Sequence, residues 1–168
     1  MSAQDEFHFR AIGVIHSPHV DPARTPIQPV FARGIPGRVE LWEQYAEGLK
    51  DLEGFSHIHL IYVLHRAGAA ELRVKPFLED VEHGVFATRS PARPNPIGVS
   101  LVRLVRIDRT TLHVEDVDIL DGTPLLDIKP YSPRFDVRKA ARSGWMERVD
   151  DKQVLDRGRR AGRDPGEL

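Results

Sequence analysis

Across residues 7–131 short apolar runs follow one another, closed by proline, glycine or an Asp-Gly pair, and no helical periodicity alternates regularly with them. That succession restricts the fold more than any other feature. Strands joined without crossover helices do not build a doubly wound parallel sheet; they argue for a barrel or a sandwich. The runs are FHFRAIGVIHSP (7–18), RVELW (38–42), SHIHLIYVLHR (56–66), ELRVKPF (71–77), GVFATRS (84–90), IGVSLVRLVRID (97–108), TLHVEDVDIL (111–120) and DGTPLLDIKPY (121–131). The run from Ser56, 11 residues rich in Ile and Val, suits a buried central strand. Asp108-Arg109-Thr110 reads as a hairpin turn and Asp121-Gly122 as a tight turn. One helix is expected over Glu43–Gly54, where Tyr45, Leu49 and Leu52 are helically spaced before a terminal glycine.

Composition narrows the function. A chain of 168 residues is one main domain by default, and buries about 70% of its unfolded surface without staples. The absence of cysteine excludes disulfides, zinc thiolates and thiol nucleophiles. With no signal-like segment and no apolar run near 20 residues, the expectation is a soluble, cytoplasmic protein that does not enter a membrane. A net charge of −1 is not the footprint of a strongly basic nucleic-acid binder, although it permits a local basic patch. No GxGxxG opens a helix after a strand, and neither GxxxxGK[ST] nor GxSxG occurs.

The segment RSPARPNPIG, Arg89–Gly98, sets Pro91, Pro94 and Pro96 among two arginines and an asparagine. Proline has a fixed φ and no N–H, so the segment cannot be a ladder strand and its carbonyls are free to accept. Held stiffly, Arg89, Arg93 and Asn95 lose little entropy on binding, which points to one wall of a ligand site. In DGTPLLDIKPY, Thr123 offers a hydroxyl beside the Asp121 carboxylate, and Asp127 and Lys129 share a face of an extended segment before Tyr131. His57, His59 and His65 share a strand face, but His65 lies about 20 Å from His59 at ~3.3 Å per residue, beyond common coordination. No metal site is expected; His65, at the far end, faces a ligand. The proline-rich loop 19–38 is long enough to be functional. Residues 136–168 form a charged tail with Val137, Ala141, Trp145 and Val149 on a helical stripe, a frayed end, and basic residues Arg138, Lys139, Arg142, Arg148, Arg157, Arg159, Arg160 and Arg163. The tail is either a solvated helix or an arm that contacts phosphates.

GVFATRSPARPNPIGVSLVRL and DILDGTPLLDIKPYSP, with IGVIHSP, TPIQP and LEGFSHIHLIYVLHRA in the same order and spacing, closely resemble the signature of the TrmO/TsaA-like (YaeB-like) family over about residues 10–135. The resemblance implies a mainly β fold: a single β-barrel domain (1–135) unrelated to the Rossmann type, with one or two short helices and a C-terminal helical, basic tail (136–168). It implies S-adenosylmethionine (SAM) as cofactor, tRNA as partner, and a homodimer. It further implies methylation of the exocyclic amine of N(6)-threonylcarbamoyladenosine beside the anticodon. Carried over by position, the donor pocket comprises Gln28, Pro29, His65, Arg66, Arg89, Leu101, Asp121, Gly122, Thr123 and Pro124. On this reading Asn95 accepts a hydrogen bond from the amine, Tyr131 stacks on the base, and Arg93 and Lys129 hold the substrate. Two departures stand out: Ile27 replaces the arginine of TPRQP, and longer bacterial members carry a second C-terminal domain where a basic tail follows Arg134 here. A donor-binding protein without turnover, a histidine-based metal hydrolase and a methyltransferase with another acceptor remain as alternatives.

Overall fold

The computed structural model describes residues 6–139 and 142–158. Six strands close an antiparallel barrel: β1 Gly13–His16, β2 Pro36–Leu41, β3 His57–Val63, β6 Ile97–Asp108, β7 Thr111–Glu115 and β8 Thr123–Pro130. They pair in the order β1-β2-β7-β6-β3-β8, and β8 returns to β1 through Ile15↔Thr123, Val14↔Pro124 and Gly13↔Leu125. A ribbon of β4 Arg73–Val74 and β5 His83–Gly84 lies apart.

The two-residue period decides what enters the core. On β3, Ile58, Leu60 and Tyr62 point inward while His57, His59, Ile61 and Val63 stay half-exposed. The run from Ser56 is therefore not buried on both faces, because a single-layer barrel has an outside. Ile15, Ile58, Leu60, Leu112 and Leu125 are 0% exposed, and burying each such side chain is worth roughly 1.5–3 kcal/mol. Arg109 and Thr110 join β6 to β7, with Arg109 at φ 54. A bulge at Val105 on β6 and another at Leu126 on β8 adjust the register of the closed sheet.

Several expected elements are shorter or differ in kind. Residues 43–54 form two 3-10 turns, Glu43–Leu49 and Leu52–Gly54, because Asp51 takes φ 66 and breaks the path between them. Leu49 and Leu52 are still buried beside the core, so the apolar spacing served a tighter helix. GVFATRS is not a strand: β5 ends at Gly84 and Val85–Ala87 turn, because beyond the two β4 residues the run has no partner strand. β1 covers only Gly13–His16 of its run, and β7 stops at Glu115, where Asp116 (φ 68) bends the chain. Val137, Trp145 and Val149 do not share a helix, since α1 (Pro133–Asp136) stops before them and α2 (Asp151–Gly158) starts after. Ala141 and the end of the tail, 159–168, lie outside the described residues. Among the described residues no helix is long and apolar enough to cross a membrane.

Candidate functional site

One end of the barrel gathers four segments remote in sequence. β3 ends at Val63, and the Leu64 N–H donates to the Pro96 carbonyl at 2.7 Å, fixing the proline segment against it. Within that segment the Arg93 Nη1 donates to the carbonyls of Thr88 (2.8 Å), Val85 (3.2 Å) and Ser90 (3.4 Å), and its guanidinium lies over Phe86. Arg93 thus organises the loop from within. Arg89 is exposed and donates to Gln28 Oε1, tying the proline segment to the long loop just before the turn Pro29–Phe31. Arg66 donates to the Val20 carbonyl at 2.9 Å, so the end of β3 holds the same loop. Asn95 is exposed at the crest of the segment.

The Asp-Gly turn closes the rim. Asp121 N–H donates to the His19 carbonyl at 2.8 Å and Gly122 N–H to the Ile15 carbonyl at 3.0 Å. Thr123 is buried beside Pro124, and its hydroxyl donates to the Leu120 carbonyl at 2.7 Å. A hydroxyl has one proton, so in the 3.2 Å contact with His65 Nδ1 the imidazole donates, and a neutral His65 carries no proton on Nε2. Asp121 Oδ1 accepts from the Ser17 N–H at 3.2 Å and lies 3.1 Å from His16 Nδ1. Desolvation acts to raise its pKa, but the Ser17 N–H, His16 and the Gly122 N–H together hold it below the usual value. A cavity of about 550 Å³ opens beside it on the outer face, lined by His16, Ser17, Arg38 and His113 among others.

Beneath the rim lies a chain that the sequence reading missed. Tyr62 and Ser100 point inward from neighbouring strands, their hydroxyls 2.9 Å apart, and Ser100 Oγ donates to Asp118 Oδ1 at 2.6 Å. Since the Ser100 proton goes to Asp118, Tyr62 is the donor to Ser100. Burial pushes Asp118 up to about 7 against the Ser100 hydrogen bond, its own backbone N–H and the charge of Arg89. Burial likewise raises Tyr62. The signal for this chain was the inward parity of Ser100 within Gly98-Val99-Ser100-Leu101-Val102, a hydroxyl at a core position.

Other expected site residues are elsewhere. Leu101 faces outward on β6, opposite His59, beside the exposed Ile97 and Val99. Tyr131 packs edge-on against His57 and His59 at the start of β3, and Lys129 pairs with Asp127 at 2.8 Å. From His57 to Val63 β3 covers about 20 Å at ~3.3 Å per residue, so Tyr131 and Lys129 lie towards the opposite end of the barrel from the rim. Among the described residues no three His, Cys, Asp or Glu side chains are grouped to hold a metal ion.

The C-terminal segment braces two of the walls. Ile27 N–H donates to the Gly158 carbonyl at 3.2 Å, next to Gln28, and Gly158 lies against the Phe31 ring. Trp145 Nε1 donates to the Ala87 carbonyl at 2.8 Å while its ring stacks on His83 with centroids 4.9 Å apart. Gln153 and Arg157 reach Leu78 and Asp80.

A closed antiparallel barrel with a polar rim, built from a proline loop and an Asp-Gly turn, is a class of fold distinct from the doubly wound Rossmann type. The family model for the tRNA-methyltransferase O N-terminal domain matches residues 14–137. The chain belongs to that family. It is 56% identical over 155 residues, 92% of this chain and 83% of the other, to the Pyrococcus abyssi protein named "Probable S-adenosyl-L-methionine-binding protein". It is 40% identical over 137 residues to the tRNA (adenine(37)-N6)-methyltransferase of Escherichia coli, covering 76% of this chain and 58% of that enzyme. The crystal structure of TrmO from Pseudomonas aeruginosa superposes with a TM-score of 0.71 at 37% identity, over 84% of this chain and 63% of that one.

Proposed function

We propose that this protein is a SAM-dependent methyltransferase acting on the N6 amine of adenosine 37 of tRNA, with the threonylcarbamoyl-modified base as acceptor. The observation that carries the reading is the convergence of Gln28, His65, Arg89, Asp121 and Thr123, from four segments, on one end of a barrel of this family. The donor set suits a nucleoside carrying an amino acid: hydroxyl, imidazole and carboxamide for the adenosine edges, carboxylates for cationic groups, and Arg89 for a carboxylate. Gln28, Pro29, His65, Arg66, Arg89 and Asp121–Pro124 would hold it. When bound, SAM supplies an electrophilic methyl group on a positively charged sulfur.

The protein's own task is then positioning and electrostatics. An adenine amine is a weak nucleophile because its lone pair is delocalised into the ring. Asn95 is exposed between Pro94 and Pro96, in a segment that main-chain bonds to the Pro91 and Pro96 carbonyls hold in place, and its side-chain oxygen accepts from the amine and localises that pair. Arg93, held by three loop carbonyls, keeps this segment in shape. Asn95→Ala is expected to slow methyl transfer about tenfold or more with donor affinity unchanged; single-turnover kinetics beside calorimetry checks both, and an unchanged rate removes Asn95 from the mechanism.

A second copy belongs to the same reading. Ile97 and Val99 are 39% and 53% exposed on the outer face of β6, next to Ile61 and Val63 of β3, and a homodimer would cover them. Leu101, Tyr131 and Lys129 would then reach a site only across a subunit boundary. A tRNA acceptor supports a cytoplasmic location. The name of the Pyrococcus relative favours a second reading, donor binding without transfer. Calorimetry with SAM, followed by methyl transfer to tRNA with and without the threonylcarbamoyl group, decides: turnover only on modified tRNA supports the proposal, binding without turnover the second reading.

A further inference from the structure

We propose that Asp118 recognises the positive charge on the sulfur of the methyl donor, so that the site holds the charged sulfonium more tightly than the neutral thioether left after transfer. This deepens the donor-site reading and rests on it. The geometry is that of an anion prepared for a cation. Ser100 Oγ donates to Asp118 Oδ1 at 2.6 Å, and Tyr62 supports Ser100 from behind at 2.9 Å. Both hydroxyl residues are buried, Ser100 at 2% and Tyr62 at 6% exposure, whereas Asp118 keeps partial exposure beneath the rim. The hydroxyls therefore approach the carboxylate from the core side and fix its place.

The other acids of this segment are engaged. Asp121 is held by Ser17 and His16, Asp116 accepts from the Gly34 N–H at 2.8 Å, and Asp127 pairs with Lys129. The groups that face Asp118 are Ser100 on β6, Tyr62 on β3 and Arg89 on the proline segment. Of these only Arg89 carries a charge at neutral pH, and its guanidinium donates to Gln28. A cation entering a partly desolvated site needs a nearby counter-charge, and the same charge is of no use to a neutral thioether.

The consequence is a linkage between donor affinity and pH. Burial places the free Asp118 near 7, so at pH 6 most of it is protonated and at pH 8 most is ionised. A bound sulfonium favours the ionised form. Donor affinity therefore rises as pH increases through 7 and levels off above it, by about tenfold between pH 6 and pH 8. S-adenosylhomocysteine shares every other contact, including any made by His65 or His16, but lacks the charge.

Calorimetric titration of the wild-type protein with SAM and with S-adenosylhomocysteine from pH 6 to pH 8 tests this. The expected result is that the ratio of the two affinities shifts about tenfold towards SAM across the series, and that Asp118→Asn abolishes the shift while still binding the thioether. Asn removes a carboxylate whose folded pKa exceeds its unfolded value, so ionisation no longer weakens the fold as pH rises, and the variant should be at least as stable at pH 8. Ser100→Ala gives an independent check: losing the hydroxyl donor raises Asp118, and the midpoint of the SAM profile should move to higher pH. Parallel profiles for the two ligands, or a shift that survives Asp118→Asn, overturn the proposal while leaving the donor site intact. Failure of the wild-type protein to bind either ligand refutes the donor-site reading and the inference with it.

Discussion

Gly98→Ala should destabilise the protein by about 2–3 kcal/mol, lowering the melting temperature by roughly 5–10 °C. A Cβ at Gly98 would stand 2.3 Å from Cε2 and 2.5 Å from Cζ of Tyr62. No side chain tolerates that approach, and the ring has little room to yield. Tyr62 is 6% exposed, packs in the barrel core, and its hydroxyl is anchored on Ser100. The substitution therefore pushes the ring off its partner and disturbs the support of Asp118 with it. Thermal denaturation of Gly98→Ala, Tyr62→Leu and the double variant is the measurement. Removing the ring should recover most of the Gly98→Ala loss, a strongly non-additive cycle. Additive losses would mean that the clash with Tyr62 is not what makes glycine necessary.

Gly158→Leu should weaken donor binding about tenfold while changing barrel stability by less than about 1 kcal/mol. Gly158 is the last residue of α2, and a Cβ there would lie 2.5 Å from the Phe31 ring. The carbonyl of Gly158 accepts from Ile27, the residue before Gln28, which in turn accepts from Arg89. Lifting the helix end thus loosens two walls of the rim, while the ring of six strands keeps all its pairings. Calorimetry and thermal denaturation of the same variant separate the two effects. The competing role for the tail, contact with phosphates, makes a different forecast. Deleting residues 150–168 would then flatten the salt dependence of tRNA binding and leave donor affinity unaltered. The brace and the arm are told apart by which ligand loses affinity.

The barrel was legible because its signal is local. Alternation in IGVSLVRLVRID and TLHVE, with a two-residue turn between them, is written in adjacent residues and survives as β6 and β7. Where pairing depends on a distant partner the sequence was less informative. GVFATRS has strand composition but meets only Arg73–Val74, so it turns instead. The same division runs through the site. The proline segment and the Asp-Gly turn announce themselves by backbone chemistry, and both reach the rim with His65 between them. Asp118 did not, because VEDVDIL reads as one strand until Asp116 bends it at φ 68. Tyr131 and Lys129 follow the Asp-Gly turn closely in sequence, but β8 carries them down the barrel wall to its other end. Proximity along a strand is distance in space.

The ring of strands is complete, with β8 bonded back to β1. Closure leaves the barrel without an edge strand, so it lacks the long free margin on which open sheets add strands from neighbouring molecules. Assembly of the barrel is then read in the side chains of its convex surface. On the proposed dimer, a single charge in place of Val99, which is 53% exposed, should yield one molecule where the parent yields two, without disturbing any ladder of the fold. Sedimentation of Val99→Lys against the parent reads that directly.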